Sequence, residues 1–398
     1  MTERPMRLVF VNHAHPETPH ISAVRVREFA RACAALGHQV VLLTETPPGR
    51  APDWTPETLP AALKEHDWRR PFLLACAPVP GRLVKRLREE RMIAPMRKPL
   101  IAAAYLTRSG VFSDWQDGSR PYWPVLATAF RPEAAWATFL NTDALVIARE
   151  IARLAGCKWV MDMKDPWSAF IRVPLRRLIA RRFSDGAALT ALSQSHAEEV
   201  RHWFGRKPTV IYSGISDDFL AAPAPHPQTR RILIVGGLYG QKDLEAVIRG
   251  IGLWAKGGET LTYAGAEIER FLAAAKTLSD TVNLETPGYV DLTRLRALAA
   301  DSVALVYVRS PRALYQHKLI ELLALDRPVL CLPGESREAH AIADDLGGKL
   351  ISCATPAELA AGLATTPGPF SVSRERLADY TWKARAKQLM KIFETLPD

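Results

Sequence analysis

Lys318-Leu319-Ile320-Glu321-Leu322-Leu323-Ala324-Leu325-Asp326-Arg327-Pro328-Val329-Leu330 decides how the rest of the chain is read. Leu319, Leu322 and Leu323 recur at helical spacing and predict a helix packed against a sheet. Lys318 and Glu321, three apart, share a different face near the helix start. Pro328 predicts the helix stop, and Val329 to Leu332 a buried strand. A carboxylate near a helix start suits ribose hydroxyls, and an ammonium beside it suits a diphosphate. A surface ion pair on an ordinary amphipathic helix fits this segment alone equally well, so the surrounding sequence has to decide.

Outward from this stretch, apolar strands alternate with amphipathic helices, the pattern of parallel sheets covered on both faces. One series predicts strands near Arg7 to Val11, Gln39 to Leu43, Ala135 to Phe139, Lys158 to Met163, Ala187 to Leu192 and Thr209 to Tyr212. Thr142 and Ser195 are the expected caps of two of its helices. A second series begins after an Ala/Pro-rich stretch, Ala221 to Pro227, that reads as a linker. Its strands are expected near Arg231 to Val235, Thr260 to Tyr263, Thr281 to Leu284, Val303 to Val308, Val329 to Leu332 and Lys349 to Ile351. Arg374 to Leu396 reads as wholly helical. Between about Pro47 and Pro132 strand spacing fails, but Trp54, Trp68, Trp115 and Trp123 are costly to leave exposed and argue for an ordered insertion.

With 398 residues and 48% apolar composition the chain can bury two cores. Five scattered cysteines without a C-x-x-C pair suggest neither a disulfide framework nor a zinc site, and fit a reducing cytoplasm. No run has the length of a bilayer span, and the first residues lead straight into a strand without a signal peptide's apolar core. The net charge of +10 concentrates in two segments. Arg82 to Lys98 carries +5, and Arg172 to Arg182 another +5, with Leu175, Leu178, Ile179 and Phe183 on one helical face among its arginines. This suits peripheral contact with anionic lipid headgroups at the inner face of the plasma membrane; a solvated face that keeps the protein soluble fits as well. Nucleic acid is disfavoured, since no aromatics interleave these charges.

Six short motifs occur in a familiar order: Gly37-His38-Gln39-Val40, Asp162-Met163-Lys164-Asp165-Pro166-Trp167, Ala191-Leu192-Ser193-Gln194-Ser195, Tyr212-Ser213-Gly214-Ile215, Val235 to Lys242, and Tyr380-Thr381-Trp382. Together with the K-x-x-E-x-L-A-x-x-x-P-V run from Lys318 they resemble glycosyltransferases of the GT-B fold, family 4-like with a group 1 type C-terminal half. The resemblance spans nearly the whole chain. It implies an α/β protein of two Rossmann-like domains facing across a cleft, with the C-terminal helix crossing back to the N-terminal domain. Expected boundaries are 1–215 for an acceptor-binding domain carrying an insertion at about 47–132, 216–385 for a nucleotide-sugar domain, and 386–398 for the returning helix.

The implied activity is transfer of a sugar from a nucleoside diphosphate to an acceptor hydroxyl, in polysaccharide or glycolipid synthesis, on a glycan or lipid-linked acceptor. Parallel sheets bind ligands at the carboxyl ends of their strands, which places function in those loops. On the donor side, Gly236 and Gly237 end a strand, Asp243 is the expected cap of the next helix, and Lys242 joins Lys318 and Glu321 around a diphosphate and ribose. In the N-terminal half, the loop Asn12 to Ser22 supplies His13, His15, Thr18, His20 and Ser22. Asp165 and His20 are the candidate catalytic residues, Asp165 orienting or deprotonating an acceptor hydroxyl, although a turn role before Pro166 explains Asp165 locally. No D-x-D motif occurs, so cationic side chains and helix dipoles, without metal or cofactor, are expected to stabilise the leaving group. His13 and His15 have the spacing of a metal pair, but two ligands make no site.

Two departures from the family pattern matter. The arginine expected just after the glycine turn is replaced by Gly237 and Leu238, and Ala313 stands where a first glutamate is usual. These motivate the alternative of a degenerate homologue that only binds a glycan or partner; a sugar-nucleotide epimerase of the same fold is a second alternative, against which the two basic segments favour the transferase.

Overall fold

The computed structural model describes residues 4–18, 20–79, 81, 94–221, 229–278, 281–310, 313–365 and 371–396. It divides into two compact units, Met1–Gly214 with Trp382–Asp398, and Ile215–Thr381. Most of the linker reading (222–227) and most of the first basic segment (82–93) lie outside the described residues.

The first unit is built on seven parallel strands: β1 (Arg7–Val11), β2 (Gln39–Glu45), β3 (Phe72–Cys76), β4 (Ala134–Thr138), β5 (Lys158–Met163), β6 (Ala188–Ala191) and β7 (Thr209–Val210). Their order is β3-β2-β1-β4-β5-β6-β7. Side-chain alternation sends Leu8 and Phe10 to one face and Val9 and Val11 to the other, and both faces are covered. The Ile21–Ala35 helix covers the first face with Val26 and Phe29, joined by Leu389, Met390 and Phe393 of the last helix, Trp382–Glu394. The C-terminal helix thus returns to the N-terminal unit, beginning at Trp382 rather than at 386. Gly214 makes room for that return, since a Cβ there would lie 2.5 Å from the Trp382 backbone.

The second unit repeats the plan with six parallel strands: β8 (Arg231–Val235), β9 (Glu259–Ala264), β10 (Val282–Glu285), β11 (Ser302–Val308), β12 (Val329–Leu332) and β13 (Leu350–Ser352), in the order β10-β9-β8-β11-β12-β13. Its core joins Ile232, Ile234, Val306 and Leu330 to Leu244, Val247, Ile248 and Ile251 of the Gln241–Trp254 helix.

Several local expectations are corrected. The insertion does contain a strand, β3, which extends the sheet beside β2; Trp115 and Trp123 are buried in that core, and Trp54 and Trp68 pack against it. The caps are Asn141 and Ser193 rather than Thr142 and Ser195, because the former pair hold extended backbone and accept the first helical N–H groups. Gly240, with φ of 70°, starts the Gln241–Trp254 helix in place of Asp243, which sits in its first turn. Arg374 to Leu396 is two helices, Arg374–Ala378 and Trp382–Glu394, broken where Thr381 bridges to Ile215. The Lys318–Leu323 helix ends at Ala324, well ahead of Pro328, and Asp326 in the turn that follows is left-handed, with φ of 56°.

Candidate functional site

In each unit the chain leaves the first strand and turns to one side, then returns to the other side through the fourth, so the loops after β1 and β4, and after β8 and β11, flank a topological switch point. In the second unit the loop after β8 is Gly236 to Gly240. Gly236 has φ of 86°, and a Cβ on it would lie 3.4 Å from the Lys318 ammonium. Tyr263 donates to the Gly236 carbonyl at 3.1 Å, and Leu238 N–H to Glu267 at 2.7 Å, so the turn is held in place before any ligand arrives.

Lys318 reaches this turn from the helix after β11, donating to the Val235 carbonyl at 3.4 Å. Its ammonium lies 4.8 Å from the Tyr307 ring centre and 5.6 Å from that of Tyr239. Burial lowers its pKa to about 8 against the opposing fields of Glu335 and Glu321. A buried cation with one long contact to a carbonyl is a group whose strong partner is an anion from outside. Glu321 is 39% exposed and 3.6 Å from His317 Nε2, with its carboxylate accessible. Lys242 is exposed in the first turn of the Gln241–Trp254 helix.

In the first unit the Asn12 to Ser22 loop separates into structural and accessible groups. The Ser22 hydroxyl is fully buried and donates to Asn12 at 3.1 Å, which turns it away from any ligand. His13 pairs with Glu45 and packs between Phe112 and Trp115, at ring distances of 4.3 and 5.1 Å. His15 is buried, and burial lowers its pKa; Thr18 is exposed. The two histidines do not converge on a metal, and no cluster of three or more His, Cys, Asp or Glu among the described residues could hold one.

His20 caps the Ile21–Ala35 helix, its Nδ1 accepting from Ser22 N–H at 3.1 Å. Burial, reinforced by Lys164 and opposed by Asp165, lowers its pKa. The neutral ring therefore carries its proton on Nε2, where it can donate a hydrogen bond but not accept one. Asp165 lies in the same field, bound by the Lys164 ammonium at 2.8 and 2.9 Å. The structure thus brings the two candidate catalytic residues together and gives them different capacities. Beneath them, fully buried Asp162 accepts from Arg25 at 2.9 and 3.0 Å, from Thr138 at 3.1 Å and from Thr190 at 2.8 Å, tying β4, β5, β6 and the helix after β1 into one rigid end.

The chain, with its two parallel α/β units and a last helix that belongs to the first, is matched over nearly its full length by solved structures. Anabaena HepE, solved with UDP-glucose, aligns over 98% of this chain and 100% of its own, at 12% identity and a TM-score of 0.62. A Rickettsia africae glycosyltransferase aligns over 99% of each chain, at 11% identity and 0.61, and the lipopolysaccharide outer core galactosyltransferase WaaB over 98% and 100%, also at 11% and 0.61. The chain has the GT-B fold. No protein-family model and no curated protein matches the sequence. At these identities the likeness concerns the fold, and the chemistry rests on this GT-B chain's own residues.

One group beside Lys318 escaped sequence reasoning. Glu335, 1% exposed, accepts from Tyr307 at 2.7 Å and Arg309 at 3.1 Å, and its N–H donates to Ser352 at 2.8 Å. A carboxylate so buried and so fully bonded braces the loops after β11 and β12, and with them Lys318. The available signal was polar residues just past two buried apolar strands: Arg309 directly after Val308, and Glu335 three residues after Leu332.

Proposed function

We propose that the protein is a glycosyltransferase that moves a sugar from a nucleoside diphosphate to an acceptor hydroxyl. The observation that carries the reading is the buried Lys318 ammonium at the Gly236 turn, at the carboxyl end of a parallel sheet. Lys318 neutralises the diphosphate, Glu321 accepts from ribose hydroxyls, and exposed Lys242 adds a weaker, salt-sensitive attraction. In the reaction the bond from the anomeric carbon to the diphosphate oxygen breaks, and its electron pair leaves with the diphosphate. A bond forms from the anomeric carbon to the acceptor oxygen, whose proton passes to Asp165. His20 donates from Nε2 to a sugar or acceptor oxygen and fixes its orientation.

HepE's complex with UDP-glucose makes a UDP sugar the first donor to try. A thermal-shift panel of UDP, GDP, CMP and dTDP sugars tests the reading, because a ligand at about a hundred times its dissociation constant adds roughly 2.7 kcal/mol of stability. One nucleotide class should raise the melting temperature. A flat response across the panel refutes donor binding, and isomerised sugar without transfer would make the protein an epimerase.

A further inference from the structure

The turn after β8 has committed part of its backbone before any ligand arrives. Gly236 N–H donates to the Ala264 carbonyl at 3.0 Å and Leu238 N–H to Glu267 at 2.7 Å, so neither is left for a phosphate. A diphosphate bound at this turn therefore calls for side-chain donors beyond the Lys318 ammonium and the exposed Lys242.

Tyr239 is the side chain in that place. Its ring folds back over the turn, so that a Cβ on Gly237 would lie 3.4 Å from Tyr239 Cζ and 3.5 Å from its hydroxyl. The ring centre is 5.6 Å from the Lys318 ammonium, whose other aromatic neighbour is Tyr307 at 4.8 Å. The two tyrosines differ in what they have left to offer. Tyr307 is fully buried and donates to Glu335 at 2.7 Å. Tyr239 is 44% exposed, and its hydroxyl has no hydrogen-bond partner among the described residues. The ammonium thus has an engaged phenol on its buried side and an unengaged one on its solvent side.

The backbone that carries Tyr239 is held on both sides. Arg270 donates to the Leu238 carbonyl and pairs with Glu267 at 2.8 Å. Gly240, with φ of 70°, starts the next helix, and its carbonyl accepts from Leu244 N–H at 3.1 Å. Folding of the turn uses these bonds and leaves the Tyr239 hydroxyl out. A side chain placed over the buried cation by a fixed backbone, with its donor unengaged, is preorganised for a ligand.

We infer that Tyr239 is a donor-binding residue: its hydroxyl donates to an oxygen of the diphosphate held by Lys318, and its ring shields the ammonium from water. The inference rests on the glycosyltransferase reading and deepens it. A phenol donates a hydrogen bond without adding charge, so the diphosphate is recognised by one buried cation and one neutral donor.

The test is calorimetric titration of full-length wild type, Tyr239→Phe and Tyr239→Ala with UDP and GDP, each beside its nucleoside. Tyr239→Phe should weaken the bound diphosphate by about tenfold or more and leave its nucleoside unchanged, because only a phosphate contact is removed. It should unfold at the wild-type urea concentration, which separates a lost contact from a lost fold. It should also keep the wild-type pH profile, in which affinity falls above about pH 8 as Lys318 loses its proton; burial lowers that pKa, and Glu335, Glu321 and Cys331 oppose the shift. Tyr239→Ala also removes the ring, admits water to the ammonium and should move this fall to higher pH. Undiminished diphosphate affinity in Tyr239→Phe, or equal losses for diphosphate and nucleoside, overturns the role of the hydroxyl while the donor reading stands on wild-type binding. An unmoved profile in Tyr239→Ala overturns the role of the ring. Wild-type protein that binds neither diphosphate overturns the inference and the donor reading together.

Discussion

Replacing Lys318 by methionine should move stability and nucleotide affinity in opposite directions. The ammonium's pKa falls from 10.5 to about 8 on folding, chiefly by burial. At about 1.36 kcal/mol per pH unit this charge costs the folded state roughly 3 kcal/mol at neutral pH. Methionine fills similar volume without charge, but loses the bond to Val235 and the two ring contacts, together worth about 1 to 2 kcal/mol. The variant should therefore be about 1 to 2 kcal/mol more stable without ligand at pH 7, and bind UDP roughly 10- to 100-fold more weakly. The sign reverses with pH in a defined window. Unfolded lysine holds its proton up to 10.5 and folded Lys318 only to about 8, so wild-type stability rises between these values and the variant's advantage disappears. Urea unfolding at pH 7 and pH 10, with UDP titration calorimetry, checks both halves. A variant less stable than wild type at pH 7 with unchanged UDP affinity would refute the assignment.

Other substitutions separate the roles. Glu321→Ala should weaken nucleotide binding by about 1.5 to 3 kcal/mol with little change in melting temperature, since the side chain opens no core cavity; a change in binding of the free diphosphate alone would place Glu321 elsewhere. Asp165→Asn should lower the transfer rate by about 10² to 10⁴ while leaving UDP affinity intact, measured as kcat and Kd on one preparation. His20→Ala should cost about 1 kcal/mol of stability and His20→Asn much less, because asparagine restores the cap; activity should fall in both. As His20's folded pKa lies below 6.5, the cap's contribution is lost as pH falls below that value, visible as acid destabilisation missing from His20→Asn. Asp162→Asn leaves Arg25 buried and unpaired and should cost about 3 to 5 kcal/mol by urea unfolding.

The parallel sheets were legible because strands such as Arg7 to Val11 and Val303 to Val308 are buried on both faces and read as unbroken apolar runs. β3 was not, since Phe72-Leu73-Leu74-Ala75-Cys76 is short and surrounded by prolines and tryptophans, and only pairing with β2 makes it a strand. Caps slipped by one or two residues where neighbouring Asn, Thr and Ser compete, and backbone conformation rather than residue type chose among them. The break at Thr381 has no local helix breaker; the bridge to Ile215 imposes it. Of the site, Lys318 was readable from helical spacing, but its approach to Gly236 follows from β8 and β11 being neighbours in the sheet. Glu335, Tyr307 and Arg309 meet through the same strand order, which no linear spacing encodes. His20's tautomer, which decides donor from base, is set by a backbone N–H and lies outside any pattern of residue types.

The most direct test of the account is a mass-balance assay with full-length protein, a UDP-sugar panel and a lipid-linked saccharide. The predicted result is free UDP in equal amount to a product heavier by one sugar, lost in Asp165→Asn though UDP still binds. Nucleotide sugar recovered unchanged or isomerised, with the acceptor unmodified across the panel, would contradict it.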